Sequence, residues 1–333
     1  MNKSKVKSQK SNPPLPPFTK GGRGGGTNSE RQTDIKKLIK CNKFRNNVFL
    51  IVGLLSTLIG LVLLFALMVD LFIDGFPRLS YKFFTSFPSR FPDEAGILSA
   101  WVGSFLVLLV TAFAAIPLGV AAGIYLEEYA RKNWLTDIIE INIANLAGVP
   151  SIVYGLLALG LFVYLFKFGE SILTGGLALA LLILPMVIMA TRESIRAIPN
   201  SIREASYALG ATKWQTVQSH IIPYSTGGIL TGVIIGLSRA IGETAPIITV
   251  GALTFIAFLP SSPISSVFPF INFKWLFDPF TVMPIQMFNW VSRPQHEFQL
   301  NAAAAGIVLM IMTLLMNGLA IYIRYRFRKK IKW

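Results

Sequence analysis

The side chains with the most chemical potential in this sequence sit where apolar residues dominate. The stretch "LSRAIGETAP", residues 237–246, sets Arg239 and Glu243 in an otherwise apolar run. From 227 to 258 the chain holds 14 Leu, Ile, Val or Phe residues. At about −0.3 to −0.6 kcal/mol each, they favour membrane insertion by roughly 4 to 8 kcal/mol, whereas two charges at the centre of a span cost roughly 5 to 7. Such a segment is near break-even alone and needs support from other helices, a partner chain or a water-filled path. Gly228, Gly232 and Gly236, followed by Ala240, recur at every fourth position, the small-residue pattern of close helix packing. At about 100° per residue both charges fall within about 60° of Gly236, so they point toward a neighbouring helix. Four residues apart, they can also pair with each other. Two roles follow: a self-neutralising pair that holds helix register, or an anion site in which Arg239 meets a charged solute and Glu243 positions it. The planar guanidinium fork would serve phosphate, sulfate or molybdate equally. Pro246 predicts a kink just beyond the pair.

The elements that must position these residues are membrane-spanning helices. Of 333 residues, 53% are hydrophobic and 14% charged, and the apolar residues fall in long blocks. Six blocks reach the length of about 20 residues that a span needs, near 48–72, 97–126, 141–166, 172–191, 227–258 and 302–323. Alternating ten-residue segments of a β-barrel are absent, so the expected class is an all-α integral membrane protein with six transmembrane helices. The first block is read as a retained anchor, being too long for a signal-peptide core and lacking a cleavage pattern. The net charge of +15 does not point to nucleic acid: of 31 Lys and Arg, 12 precede residue 47 and 6 follow residue 323. By the positive-inside rule both termini face the cytoplasm. Residues 1–46, with "NPPLPPFTKGGRGGG", read as a disordered basic tail rich in Pro and Gly, and 327–333 as a basic cytoplasmic end. Cys41 is the one cysteine, which excludes an intrachain disulfide.

Four connections carry further signals. The short stretch 127–140, "EEYARKNWLTDIIE", reads as a simple inner turn. The cytoplasmic stretch 192–226 is too long for a turn: residues 201–209 have helical spacing, Gly210 can stop that helix, and Lys213 to Ile222 can form a second one before Pro223. A helix, a turn and a helix on the inner face suit the docking of a soluble partner. The exterior stretches 73–96 and 259–301 are dense in aromatics and prolines, and the second is expected on the outer interface or over the bundle. No G-x-x-x-x-G-K-[ST] occurs, so any ATP must be handled by another chain. No metal-binding constellation is visible around His220 or His296.

The stretch from Glu204 to Pro223, "EASYALGATKWQTVQSHIIP", resembles the E-A-A-x3-G-x9-I-x-L-P loop of ATP-binding-cassette importer permeases. Glu204, Ala205, Gly210 and Pro223 match, whereas Ser206, His220 and Ile222 depart from the pattern. "GVPSIVYG" (148–155), "RAIGETAP" (239–246) and "PIQMFNWVSRP" followed by "NAAAAG" resemble, in the same order, segments of phosphate-specific permeases of the PstA type. The resemblance implies a type I importer bundle in a bacterial inner membrane. It also implies a second related permease of the PstC type, a cytoplasmic ATPase dimer of the PstB type that carries ATP and Mg, and an external phosphate-binding protein of the PstS type. Arg239 and Glu243 would then belong to the translocation path, and Glu204, Ala205, Gly210 and Pro223 to the ATPase contact.

Two other classes compete. An ion-gradient-driven secondary anion transporter would show inverted repeats and several intramembrane acids; no repeat is evident, and Glu243 is the only acid deep in a block. A membrane enzyme would need a catalytic constellation, and Asp70, Asp74, Asp93 and Glu94 read instead as interface charges.

Overall fold

The computed structural model of this chain describes residues 28–263 and 272–330. Residues 1–27 of the expected tail, 264–271 of the exterior stretch and 331–333 lie outside the described residues. Regular structure among the described residues is entirely helical. The chain forms two compact units, Met1–Ala66 and Leu67–Trp333. Helix α1, Asn28–Gly75, supplies the described part of the first, and its Val, Leu, Ile and Phe side chains from Val48 to Phe65 are exposed. It starts well inside the stretch expected to be disordered. Between Gly26 and Gly53 there is no Gly or Pro to break it, and Lys, Arg, Gln and Glu propagate a helix at little cost.

In the second unit, α2 (Tyr81–Thr85) precedes α3 (Leu98–Ile124), which continues as a π-helical turn, Tyr125–Tyr129. Then come α4 (Trp134–Leu146), α5 (Ser151–Ala158, prolonged in π form over Leu159–Leu165), α6 (Ile172–Arg196) and α7 (Asn200–Ala208). Helices α8 (Lys213–Thr216) and α9 (Ile222–Gly242) join through a π turn, Val217–Ile221, and α10 (Ala245–Thr249), α11 (Met283–Val291) and α12 (His296–Lys330) follow.

Close glycine contacts set the directions of the spans. A Cβ at Gly176 of α6 would lie 2.5 Å from Val110 Cβ, one at Gly119 of α3 2.7 Å from Val187 Cγ1, and one at Gly123 2.6 Å from Thr191 Cβ. Positions rise together, so α3 and α6 are parallel and their C-termini share one end of the bundle. The chain must therefore cross back between them, and α4 with α5 makes that crossing as a span bent by 106°. The third block expected, 141–166, falls in this bent pair, which starts earlier, at Trp134; Gly148 and Pro150 lie in the break, where Pro150 cannot donate a helical hydrogen bond. Opposed numbering makes α9 antiparallel to α6, with Gly228 against Ser194 and Gly232 against Ala190. Helix α12 is antiparallel to α9 in turn, through Ser238 Oγ to Asn317 Oδ1 at 2.5 Å and Arg324 Nη1 to Thr231 Oγ1 at 2.7 Å. Arg131, Lys132, Arg192, Arg196, Arg203, Lys213 and Arg324 gather where α3, α6 and α12 end, which marks that end as cytoplasmic.

Three further boundaries move. Pro223 does not end a helix: Ile222 N bonds to Val217 O five residues back, and this widened turn admits the proline ring into one continuous helix, Lys213–Gly242. The fifth span therefore covers 213–242 rather than 227–258. The last helix begins at His296, taking in "HEFQLN" from the expected exterior stretch. Part of that stretch, residues 280–290, folds back into the bundle: Met283 N donates to Ser104 Oγ of α3 at 2.8 Å, and Phe280, Met283, Ile285 and Trp290 are fully buried.

Candidate functional site

The charged pair stands at the end of a helix, not within one. Arg239 occupies the last turn of α9, and Glu243 leaves the helix with extended backbone angles, φ −83° and ψ 118°. Arg239 Nε donates to Glu243 Oε1 at 3.2 Å, and Nη1 faces Met186 Sδ of α6 at 3.7 Å. The two side chains are 36% and 23% exposed, so the pair is neither sealed nor fully solvated. Arg239 at a helix C-terminus also meets the negative end of the helix dipole, which favours its charge. The expected kink at Pro246 is replaced by a complete break at Glu243–Thr244; Pro246 then falls in the first turn of α10, where a missing N–H costs nothing.

Glu243 lines a small cavity with Ala240, Ile241 and Ile247 of its own segment, Ser104, Val107 and Leu108 of α3, Leu179 of α6, and Val282. Helix α10 is held in place by α5. A Cβ at Gly155 would lie 2.6 Å from Pro246 Cα and would overlap Thr249 Oγ1, so only glycine permits this approach. Tyr154, buried beside it, donates from its hydroxyl to Leu146 O at 2.7 Å and ties the two sides of the α4–α5 break together. "GVPSIVYG" and "RAIGETAP", nearly a hundred positions apart, are thus adjacent at two breaks in two spans. Gly228 and Gly232 sit in tight contact with Ser194 and Ala190, and Gly236 is at ordinary distance, 3.6 Å, from Ile183 and Val187. These glycines carry α9 onto α6 and so bring Arg239 to Met186.

On the cytoplasmic end, α7, the Gly210 turn and α8 form a compact unit. Gly210 has φ +82°, the left-handed conformation that ends α7 without a Cβ clash. Thr212 caps α8 in a reciprocal pattern with Gln215. Buried Ser206 and Thr216 share a hydroxyl hydrogen bond of 2.8 Å that binds α7 to α8. Glu204 and Ala205 face outward, as do Tyr207, Leu209 at 90% exposure and Trp214. Pro223 is set back from this surface, in the α9 shaft.

Sequence reading missed one set of charges. The stretch 127–140 does more than turn the chain. Glu127 meets Arg192 of α6 at 3.5 Å and Arg196 at 3.1 Å, Glu140 of α4 meets Arg192 at 2.5 Å, and Glu128 meets Arg203 of α7 at 2.7 Å. The available signal was the clustering of opposite charges at the inner ends of several blocks. Which partner each would choose required the fold.

Fold and site together define a multi-span membrane protein with a charged pair at a break in a central helix and an exposed helix–turn–helix on its inner face. The chain belongs to the family of binding-protein-dependent transport system inner membrane components, whose pattern matches residues 115–333. It is 34% identical over 265 residues to the probable ABC transporter permease protein YqgI of Bacillus subtilis, covering 78% of this chain and 88% of that one. It is likewise 34% identical over 295 residues to the phosphate transport system permease protein PstA of Yersinia pestis, covering 86% and 91%. In shape it matches a chain of the inward-facing MetNI methionine ABC transporter with a TM-score of 0.51 at 15% identity, over 68% of this chain and 94% of that one, a likeness of fold alone. It is therefore a multi-pass inner-membrane protein with the importer-permease fold.

Proposed function

We propose that this chain is a permease subunit of an ATP-driven importer of inorganic phosphate, working with a second related permease of the PstC type, a cytoplasmic ATPase dimer of the PstB type and an external phosphate-binding protein of the PstS type. ATP and Mg belong to the ATPase, with Glu204, Ala205 and the exposed Tyr207, Leu209 and Trp214 offering it a docking face. The observation that carries the reading is the geometry of Arg239. Glu243 meets Nε, and Nη1 meets only the thioether sulfur of Met186, a weak acceptor at 3.7 Å, so an oxyanion can take the outer edge of the guanidinium fork with two oxygens by displacing that contact. The identity of the anion draws support from the relatives named for phosphate transport and from Glu243. A carboxylate accepts hydrogen bonds but donates none, so it suits an oxyanion that still carries a proton at neutral pH. Phosphate does; sulfate and molybdate do not. Glu243 also offsets the charge of Arg239, which keeps the anion from being held too tightly to leave.

The test is uptake of radiolabelled phosphate into proteoliposomes holding the assembled complex, wild type against Arg239→Gln at equal assembly, with sulfate and molybdate as competitors. Loss of a fork to an oxyanion, worth about 1.5–3 kcal/mol, predicts a fall in uptake of about 10- to 150-fold. Unchanged uptake by Arg239→Gln would leave the pair a device for helix register, and competition by sulfate or molybdate would change the solute.

A further inference from the structure

The surface proposed for the ATPase is joined to the cavity at Glu243 by two routes through the chain itself. Helix α7 follows α6, and α8 runs into α9, so a push on the α7–α8 unit reaches both helices along covalent backbone. Helix α3 has no such connection. It lies far earlier in the sequence, yet Ser104, Val107 and Leu108 of α3 form one wall of that cavity. A shift of α3 relative to α9 changes that wall, and α3, packed along α6 through Gly119, Gly123 and Gly176, reaches the inner surface at its own C-terminal turn.

We infer that Arg203 and Glu128 link α3 to that surface: a positioning pair through which displacement of α7 is passed to α3. Arg203 Nε and Nη2 both donate to Glu128 Oε1, at 3.0 and 2.7 Å. The same guanidinium donates from Nη1 to Ile198 O at 2.9 Å and from Nη2 to Ile195 O at 3.2 Å, where α6 ends. One side chain therefore fastens α7, the end of α6 and the end of α3. Both partners are sheltered, the side chains 15% and 5% exposed, so solvent screens the pair little. Arg203 directly precedes Glu204, on the helix whose other face is exposed for docking.

The receiving end has a distinct backbone form. Glu128 sits on the π-helical turn Tyr125–Tyr129 that ends α3, a form of helix found mostly as single turns at functional positions. Its neighbour Glu127 pairs with Arg192 and Arg196 of α6. Adjacent carboxylates thus bind two different elements: Glu127 holds α3 to its parallel neighbour, and Glu128 ties it to the inner-face helix. Lys213 of α8 adds a contact from the other side of the Gly210 turn, its ammonium 5.0 Å from the Tyr129 ring centre. Loss of the Arg203–Glu128 tie leaves α3 held to α6 by Glu127 and by close packing, but no longer fastened to α7.

This inference rests on the ATP-driven importer reading, and its test separates the two. In the assembled complex, on a Cys41→Ser background, Leu108→Cys at the cavity wall reports α3 movement by its rate of maleimide labelling with and without ATP. Phosphate uptake per ATP hydrolysed is measured alongside. In the double variant Glu128→Gln/Arg203→Gln, which leaves no unpaired charge, ATP hydrolysis and assembly should persist. The ATP-dependent change in labelling and the uptake per ATP should fall together by about 2- to 30-fold, the range over which coupling residues act. Arg203→Lys, which keeps the charge but not the fork, should recover part of both. Retention of the wild-type labelling change in the double variant overturns the inference, as does failure of the double variant to assemble, which would make the pair structural. Absence of phosphate uptake by the wild type, with the labelling change present and lost in the double variant, would sink the phosphate reading and uphold the pair.

Discussion

Substitution of Gly155 by alanine is the sharpest perturbation of the broken-helix site that does not touch its charges. The new Cβ would stand 2.6 Å from Pro246 Cα and 3.0 Å from Pro246 O, against the 3.4 Å at which ordinary contact begins, so α5 and α10 must separate by about 0.8 Å. The Thr249 hydroxyl, which the new Cβ would overlap, can rotate away, but the Pro246 atoms are backbone and cannot. Overpacking of this kind costs about 1–3 kcal/mol. Pro246 lies three residues after Glu243, so the displacement is passed to the carboxylate across Thr244 and Ala245. A misplacement of about 1 Å in a positioned group can lower a rate about 100-fold. The expected outcome for Gly155→Ala is therefore a complex that assembles with a lowered melting temperature and loses most phosphate uptake, measured by thermal unfolding in detergent and by proteoliposome uptake at matched protein. Adding Thr249→Ala removes the hydroxyl contact but leaves the Pro246 backbone, so recovery should be partial. Wild-type uptake and melting by Gly155→Ala would refute the argument that α5 sets the position of Glu243.

Two other outcomes are expected. Glu243→Gln gives the site an amide that can donate as well as accept, so sulfate should begin to compete with phosphate for uptake while phosphate uptake falls by about tenfold, corresponding to one hydrogen bond to a charged group; competition assays against the wild type decide it. Glu204→Arg reverses the charge on the exposed face of α7 without disturbing a contact inside the chain, and is expected to release the ATPase on co-purification or to abolish its stimulation by solute-loaded binding protein; a stable, coupled complex would remove α7 from the docking surface.

What could be read before folding was whatever depends on neighbours in sequence. Apolar blocks and the basic ends define an all-helical membrane chain, because the hydrogen-bonding demand of a lipid core admits few alternatives. Gly210 between two helical stretches and the four-residue spacing of Arg239 and Glu243 are also local, and the turn and the ion pair stand where that spacing puts them. Positions 28–46 show the converse hazard: a polar composition suggested disorder, but an unbroken run of helix-forming residues attached to a stable span continued the helix. Tertiary structure alone decided the rest. Glu243 leaves α9 because α10 must turn to meet Gly155, a partner nearly a hundred positions earlier. Pro223 stays within a helix because a π turn ahead of it makes room, and Glu128 selects Arg203 because α3 and α6 run parallel and end together. Local sequence specifies which elements form and which charges are present. The close approach of backbones at glycines, and the sharing of charges between helices distant in sequence, specify what those charges touch.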